Sequence, residues 1–224
     1  MFNKSNLIKM KQLPKYLLFL ILLCGMVSCN NSEKNLPITG SDQNQFSKRQ
    51  QYTIDTSGIS IIWTAYKFTN KIGVSGTFTN YTFENKKTSG TVEDLLSKSK
   101  LSIQTATVNS GNPIRDFKLD TYFFKTFNTS EIRGTISKIK KYEGIISLTM
   151  NGTSKNVPFT YTIENDTERL FTNLNLSFWN GEEALKTLNE ECNELHKGTD
   201  GLSKLWPDVD ITINLPIHKT LLTD

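Results

Sequence analysis

Between residues 144 and 163 the chain alternates apolar and polar side chains around one turn signal, and that pattern narrows the fold more than any other feature. "GIISLTM" runs into Asn151-Gly152, and beyond it Val157, Phe159, Tyr161 and Ile163 alternate with Asn156, Pro158, Thr160 and Thr162. A period of two places the apolar set on one face of a pleated strand, and Asn-Gly between two such runs is a strong hairpin signal. After a second turn, "ENDTE", the alternation resumes at Leu170, Thr172, Leu174, Leu176 and Phe178. Val209, Ile211, Ile213 and Leu215 carry a last strand. Pro158 has no N–H to give to a ladder and marks a sheet edge or a bulge.

Upstream, "ISIIWTAYKF", "VSGTFTNYTFE", "KLSIQTATV" and "EIRGTISKI" are rich in β-branched and aromatic residues, as strands are. The count is eight strands, or nine if "QYTI" is one. Several approach ten residues, or about 34 Å at ~3.4 Å per residue. Long, mostly sequential antiparallel strands predict an all-β fold, an extended eight-stranded antiparallel barrel, because closure removes exposed edges. A two-sheet sandwich is the alternative, and the difference matters: a barrel of this size can enclose one ligand. Its inward faces would offer Trp63, Ile136, Leu148, Phe159, Tyr161, Leu174, Leu176, Ile211 and Ile213 to an apolar ligand.

Two helical segments are predicted among the strands. In "WNGEEALKTLNEECNELHKG" Asn180 is placed as N-cap with Glu183 three residues on, followed by a stripe of Ala184, Leu185, Leu188, Cys192 and Leu195. This is the one long helix, set before the last strand, and Gly198 can end it. A shorter turn is predicted in "VEDLLSKS".

"RDFKLDTYFFKTF", residues 115 to 127, puts five aromatic rings into a connection between strands. Asn112 suits a helix cap and Pro113 a first turn. A short helical lid over residues 113 to 125 is therefore expected across the barrel mouth, with Phe117, Phe123 and Phe124 pointing inward to the ligand. The competing expectation is that this loop only plugs its own core. Arg115 is the head-group candidate, since a guanidinium can grip phosphate oxygens in pairs. Ion pairs with Asp116 and Asp120 would instead make it structural, with Asp116 anchoring the turn.

The N-terminus reads as an export signal. Four lysines precede "YLLFLILLCGM", an apolar run too short to span a bilayer comfortably, and "VSC" follows. Residues 1 to 28 are assigned to this leader and Cys29 to lipidation, which resembles the lipobox of bacterial lipoproteins. Residues 29 to 50 are polar and predict a flexible tether, leaving one domain over residues 51 to 224. The leader takes four of the 26 basic residues and none of the 22 acids, so the remainder balances at 22 against 22. The basic pI thus belongs to the leader, and no nucleic-acid partner is expected.

An enzyme is not expected. Cys192 and His196 would share a helix face, yet Cys192 belongs to the apolar stripe, where a thiol packs as a small hydrophobe. The adjacent pairs Glu182-Glu183 and Glu190-Glu191 do not face each other on a helix. No glycine-rich phosphate cradle or serine elbow occurs, and neither metal nor cofactor is anticipated.

Taken in order, "IIWTAYKF…GVSGTF", "VNSGNPIRDFKLDTYFFKTF" with its Arg115, Asp116, Leu119, Phe123 and Phe124, and "GIISLTMNGTSKNVPFTYTI" resemble the YceI-like family of polyisoprenoid-binding proteins. The resemblance runs from about residue 52 to about residue 216. It implies an exported, lipocalin-like barrel whose apolar pore holds an isoprenoid chain, with no catalytic residues to carry over. The chain is thus expected to be an envelope lipoprotein that carries or shields a long-chain lipid. Cys29 would tether it to the periplasmic face of a membrane or to the cell surface, and a homodimer is compatible with this reading. The alternative is a surface lipoprotein with a self-filled interior, acting through protein or glycan binding.

Overall fold

The computed structural model describes residues 50–220. The expected leader, Cys29, and the tether up to residue 49 lie outside the described residues, as does the end of the expected domain, 221–224.

The alternating segments form one antiparallel sheet that curls on itself into a half-barrel rather than two stacked layers. Its strands are β1 (Gln51–Ile54), β2 (Ser60–Lys67), β3 (Ile72–Phe78), β4 (Tyr81–Glu84), β5 (Lys100–Gln104), β6 (Val108–Asn109), β7 (Glu131–Lys140), β8 (Glu143–Met150), β9 (Thr153–Glu164), β10 (Thr167–Asn175) and β11 (Leu205–Thr220). They follow the order β4-β5-β7-β8-β9-β10-β11-β2-β3-β6, with β1 laid on the end of β11.

Eleven strands thus stand where eight were expected. "VSGTFTNYTFE" is broken at Thr79-Asn80 into β3 and β4, and "KLSIQTATV" at a turn over Thr105–Thr107 into β5 and β6. Both breaks use threonine and asparagine, whose side chains compete for backbone groups: Asn80 N donates to Thr107 Oγ1 at 3.1 Å, and Thr107 Oγ1 donates to Gln104 O at 2.7 Å. "QYTI" adds β1.

The hairpins follow their turn residues. Asn151 and Gly152 both have positive φ, as do Asn165 and Asp166, the backbone that a tight two-residue connection requires. Pro158 sits within β9 just where pairing with β10 stops, since that ladder covers only Thr160–Glu164. Its carbonyl accepts instead from Thr172 Oγ1 at 2.8 Å.

The helices are α1 (Val92–Leu96), α2 (Pro113–Lys118), which continues as a π-helical turn over Leu119–Phe124, and α3 (Glu182–Glu191). α1 begins with a complete capping box between Thr91 and Asp94, and it buries Val92, Leu95 and Leu96. The expected cap of α3 is corrected. Asn180 takes a left-handed conformation, and its N–H closes a turn over Leu176–Trp179. Gly181 is the N-cap and gives no side-chain bond. That same turn ends β10 at Asn175, so Leu176 and Phe178 do not extend the strand, and Phe178 is exposed.

Candidate functional site

The hollow of the half-barrel is confined to the end where β10 finishes and β11 starts. There α2, the π turn and α3 meet, and two adjoining chambers lie beneath them. The inner one, about 110 Å³, is walled by Phe78, Phe123, Phe124, Phe127, Leu174, Leu176, Val209 and Ile211 among others. The outer one, about 370 Å³, opens past Ile114, Arg115, Lys118, Cys192, Leu195 and His196. Both are bounded by Trp63, Ala65, Tyr66, Leu119, Leu188 and Leu205, which form the boundary they share. Trp63 is held there by its Nε1, which donates to Thr77 O at 3.2 Å, and by Gly76, its cross-strand partner, where a Cβ would strike the indole.

The roof is set by local sequence. Asn112 Oδ1 accepts from the backbone N–H of Ile114 and of Arg115, both at 3.1 Å, and Pro113 opens α2. Asp116 accepts from Ser110 N at 2.8 Å and from Ser110 Oγ at 2.6 Å, which ties the helix to the preceding turn as expected. Phe123 then packs against Phe124 and Phe127 with ring centroids 5.1 and 5.4 Å apart, and Phe124 against Phe78 at 6.1 Å.

Phe117 is not part of this cluster. It is 61% exposed and touches Tyr122 edge-on at 6.5 Å. Uniform α-helical spacing would have swung it toward Phe123 and Phe124, but the change to a wider π turn at Leu119 alters the phase. The inward assignment of Phe117 is thereby corrected.

Of the other anticipated lining residues, Trp63, Phe123, Phe124, Leu174, Leu176 and Ile211 border the inner chamber. Ile136, Leu148, Phe159, Tyr161 and Ile213 border neither chamber, because the opposite end of the barrel is filled by its own side chains. Ile136 and Ile213 meet only a gap of about 30 Å³. Tyr161 is buried, and its hydroxyl donates to Glu93 Oε1 at 2.8 Å. Burial, more than that bond, drives its own ionisation far above the usual phenol range.

Several lining residues escaped notice as such. Phe78 continues the β3 alternation, Leu185 and Leu188 lie on the α3 stripe, and Leu119 sits in the motif already singled out. Each had a periodic signal, yet none announced that it faced a void rather than a neighbour.

The outer chamber carries positive charge. Lys67, Arg115 and Lys118 line it, and no carboxylate side chain does. Lys67 Nζ donates to Leu195 O at 3.0 Å and Lys118 Nζ to Glu191 O at 2.9 Å. The ion pairs expected of Arg115 do not form: Asp116 is taken by Ser110, and Asp120 binds Lys125 at 2.8 Å. His196 is pushed down to about 4, chiefly by burial and then by Lys67 and Lys118. It does not share a helix with Cys192, since α3 ends at Glu191 and a tighter turn follows.

At the filled end, Glu168 is fully buried and neither of its carboxylate oxygens has a hydrogen-bond partner. Burial, and secondarily the charge of Glu93, pushes it up to about 8.

The YceI-like domain family matches residues 52–216. Among solved structures, the chain is similar to Burkholderia cenocepacia BcnA at 12% identity, over 74% of this chain and 99% of that one, with a TM-score of 0.50. It is also similar to a polyisoprenoid binding domain from Saccharophagus degradans implicated in plant cell wall breakdown, at 13% identity over 76% and 98%, with a TM-score of 0.51. At such identities the likeness is one of fold. No curated protein matches the chain in sequence.

Proposed function

This chain belongs to the YceI-like domain family, and from that membership we propose that it binds the apolar chain of an isoprenoid-type or similar long-chain lipid, carrying or shielding it in the bacterial envelope. The carrying observation is an apolar chamber that adjoins a wider, polar-rimmed one across a shared apolar boundary. The polyisoprenoid binding domain from Saccharophagus degradans supports the choice of an isoprenoid chain. The tail fills the inner chamber and the remaining length lies along Trp63, on the boundary the two chambers share. An outer volume of about 370 Å³ lies in the ~300–1,000 Å³ range of small-molecule sites.

Burial alone supplies useful affinity. At ~0.8 kcal/mol per methylene, ten carbons contribute roughly 8 kcal/mol before the cost of ordering the chain. Micromolar binding corresponds to about −8 kcal/mol, so a somewhat longer buried stretch reaches it. The protein acts by binding rather than by catalysis.

The working unit is an eight-stave barrel in which β3 with β4, and β5 with β6, are two bent strands. Support comes from their mutual pairing, β4 on β5 and β3 on β6, through which the two ends of the sheet meet. The leader is removed and Cys29 carries the lipid anchor, a reading supported by the "VSC" site after the apolar run.

Native mass spectrometry of the full chain, purified from its host without harsh detergent, tests this. A bound long-chain lipid is expected, and Leu174→Asp removes it while the β-type circular dichroism persists. Wild-type protein without lipid, or a variant that keeps its lipid, overturns the reading.

A further inference from the structure

We infer that the filled pole of the barrel carries a proton-operated latch: protonated Glu168, beside Glu93 and Tyr161, keeps the cap made by α1 and β1 closed, and loss of that proton releases the cap. The latch lies at the other end from the chambers and does not depend on what they bind.

Glu168 is the second residue of β10 and shares the inner face with Leu170 and Leu174. Across its two ladders it stands opposite Ile163 and Leu215, whose side chains offer it no hydrogen bond. It is fully buried, and both carboxyl oxygens are without a partner. Buried polar groups are nearly always satisfied, and an exception calls for a role. Packing alone would be better served by an apolar side chain of similar size.

The cap supplies the other half of the pair. Glu93 of α1 is the charge that acts on Glu168, and its Oε1 accepts from the Tyr161 hydroxyl on β9 at 2.8 Å. On its other side α1 is joined to β1: Tyr52 N donates to Gly90 O at 2.8 Å, and Gly90 N to Tyr52 O at 3.1 Å. β1 in turn lies on the end of β11, from Gln51 opposite Thr220 to Ile54 opposite Ile217. The two short elements therefore lift or settle together.

Ionised Glu168 would place a second negative charge beside Glu93 where no cation answers it. Lys87 is taken by Asp94 and Lys219 by Asp166, while His218 acts on Asp55. Tyr161 stays a neutral donor, because burial drives its ionisation far above the usual phenol range, and Tyr142 stacks on it at 5.9 Å. Two carboxylates in one dry site repel, and relief comes from water once the cap lifts.

The sign follows from the two states. With the cap closed, burial and then Glu93 push Glu168 up to about 8; with the cap lifted and the carboxyl wetted it returns toward 4.5. Between these values each pH unit favours the lifted form by about tenfold at most, and above the upper one the gain stops.

Hydrogen–deuterium exchange of the full chain, corrected for the intrinsic rise of exchange with pH, tests the latch. Protection over residues 51–54 and 90–97 is expected to fall by up to about tenfold per pH unit between roughly pH 5 and 8 and then level off, while β8 keeps its protection. Glu168→Gln removes the fall. Glu93→Gln retains it but levels off at lower pH, since one of the two causes of the raised value is gone. Cap protection independent of pH in the wild type, a fall that persists in Glu168→Gln, or a levelling point unmoved by Glu93→Gln overturns the inference. So does loss of protection in β8 in step with the cap, which would mean that the whole barrel opens rather than its latch.

Discussion

Trp63 and Phe159 stand in the same relation to the sheet, and their surroundings could hardly differ more. Each lies opposite a glycine on the neighbouring strand, Gly76 and Gly144, at positions where a Cβ would strike the ring. Trp63 borders both chambers, whereas Phe159 borders neither and is buried among core side chains. What separates the two ends is their covering. α1 and β1 close the filled end, with Leu95, Leu96 and Ile217 fully or almost fully buried. The chambered end is roofed by helices whose inner rings leave space below them. Cohesion is concentrated in one half of the barrel and vacancy in the other, the usual separation of a stable scaffold from the region that binds.

The strongest way to break this contrast is to place the same charge on one strand at each end. Leu170 faces Tyr161 and Ile213 across its two ladders, in the filled half. Leu170→Asp buries a carboxylate among apolar side chains beside a gap of only about 30 Å³, and a loss of ~4 kcal/mol or more is expected. Urea titration should then find little cooperative unfolding. Leu174 lines the inner chamber, where water can follow the new charge. Leu174→Asp should keep a cooperative transition and lose only the ligand. Equal damage from the two substitutions would mean that the chambers are as tightly packed as the other end.

Glu168 sharpens the contrast from the other side, because the filled end contains its own weakness. Its folded-state acidity lies at about 8, well above the ordinary carboxyl value of 4.5. Below 4.5 the carboxyl is protonated in both states and costs nothing. Between 4.5 and about 8 the unfolded chain ionises while the folded one stays protonated, so stability falls with rising pH. The slope from this group is about 1.4 kcal/mol per pH unit at most. Glu168→Gln should remove that slope and raise stability near pH 8 by ~2 kcal/mol, the remainder being lost to an unpartnered buried amide. Denaturation curves at several pH values decide it. An unchanged slope would show that Glu168 already has its charge satisfied.

The two glycines give a gentler comparison. Gly144→Ala drives a methyl against the Phe159 ring and toward the backbone oxygen of Lys138 at 2.8 Å. A cost of ~1–3 kcal/mol in stability is expected, typical of overpacking. Gly76→Ala meets Trp63 and, at 2.6 Å, the backbone oxygen of Asn109, a closer main-chain contact than the one at Gly144. Its stability loss should be at least as large, and lipid capacity should fall as well because the displaced indole borders both chambers. Scoring both variants for melting temperature and for bound lipid separates the two effects.

Much of this architecture was legible in the chain. Alternation located β9 and β11, Asn151-Gly152 and Asn165-Asp166 located their turns, and the ring-rich segment after Pro113 does form a helical roof. The strand breaks at Thr79-Asn80 and Thr105–Thr107 were not legible, since β-branched residues read as strand whether or not their side chains take over a backbone bond. Nor could alternation divide Leu174 from Leu170, or Trp63 from Phe159. A period of two states which face a residue occupies and carries no information on how far away the opposite wall stands. Arg115 poses the same problem for charge. The acids beside it in sequence suggested ion pairs, yet the pairing depended on Ser110 and Lys125, which took Asp116 and Asp120 first.

The smallest expected effect concerns the one roof residue whose direction was misjudged. Phe117 and Ile114 are three residues apart on α2 and both are exposed, at 61% and 71%, although Ile114 also borders the outer chamber. Removing an exposed ring sacrifices little more than its edge-on contact with Tyr122, so Phe117→Ser should cost less than ~1 kcal/mol. Phe123→Ser, one π turn further on, deletes a ring packed between Phe124 and Phe127 over the inner chamber and should cost ~3 kcal/mol. The ratio is more informative than either value, because a helix rotated by one residue would exchange the two roles. Comparable losses at Phe117 and Phe123 would mean that the α-to-π change at Leu119 does not persist in solution, and that the roof turns its other face to the hollow.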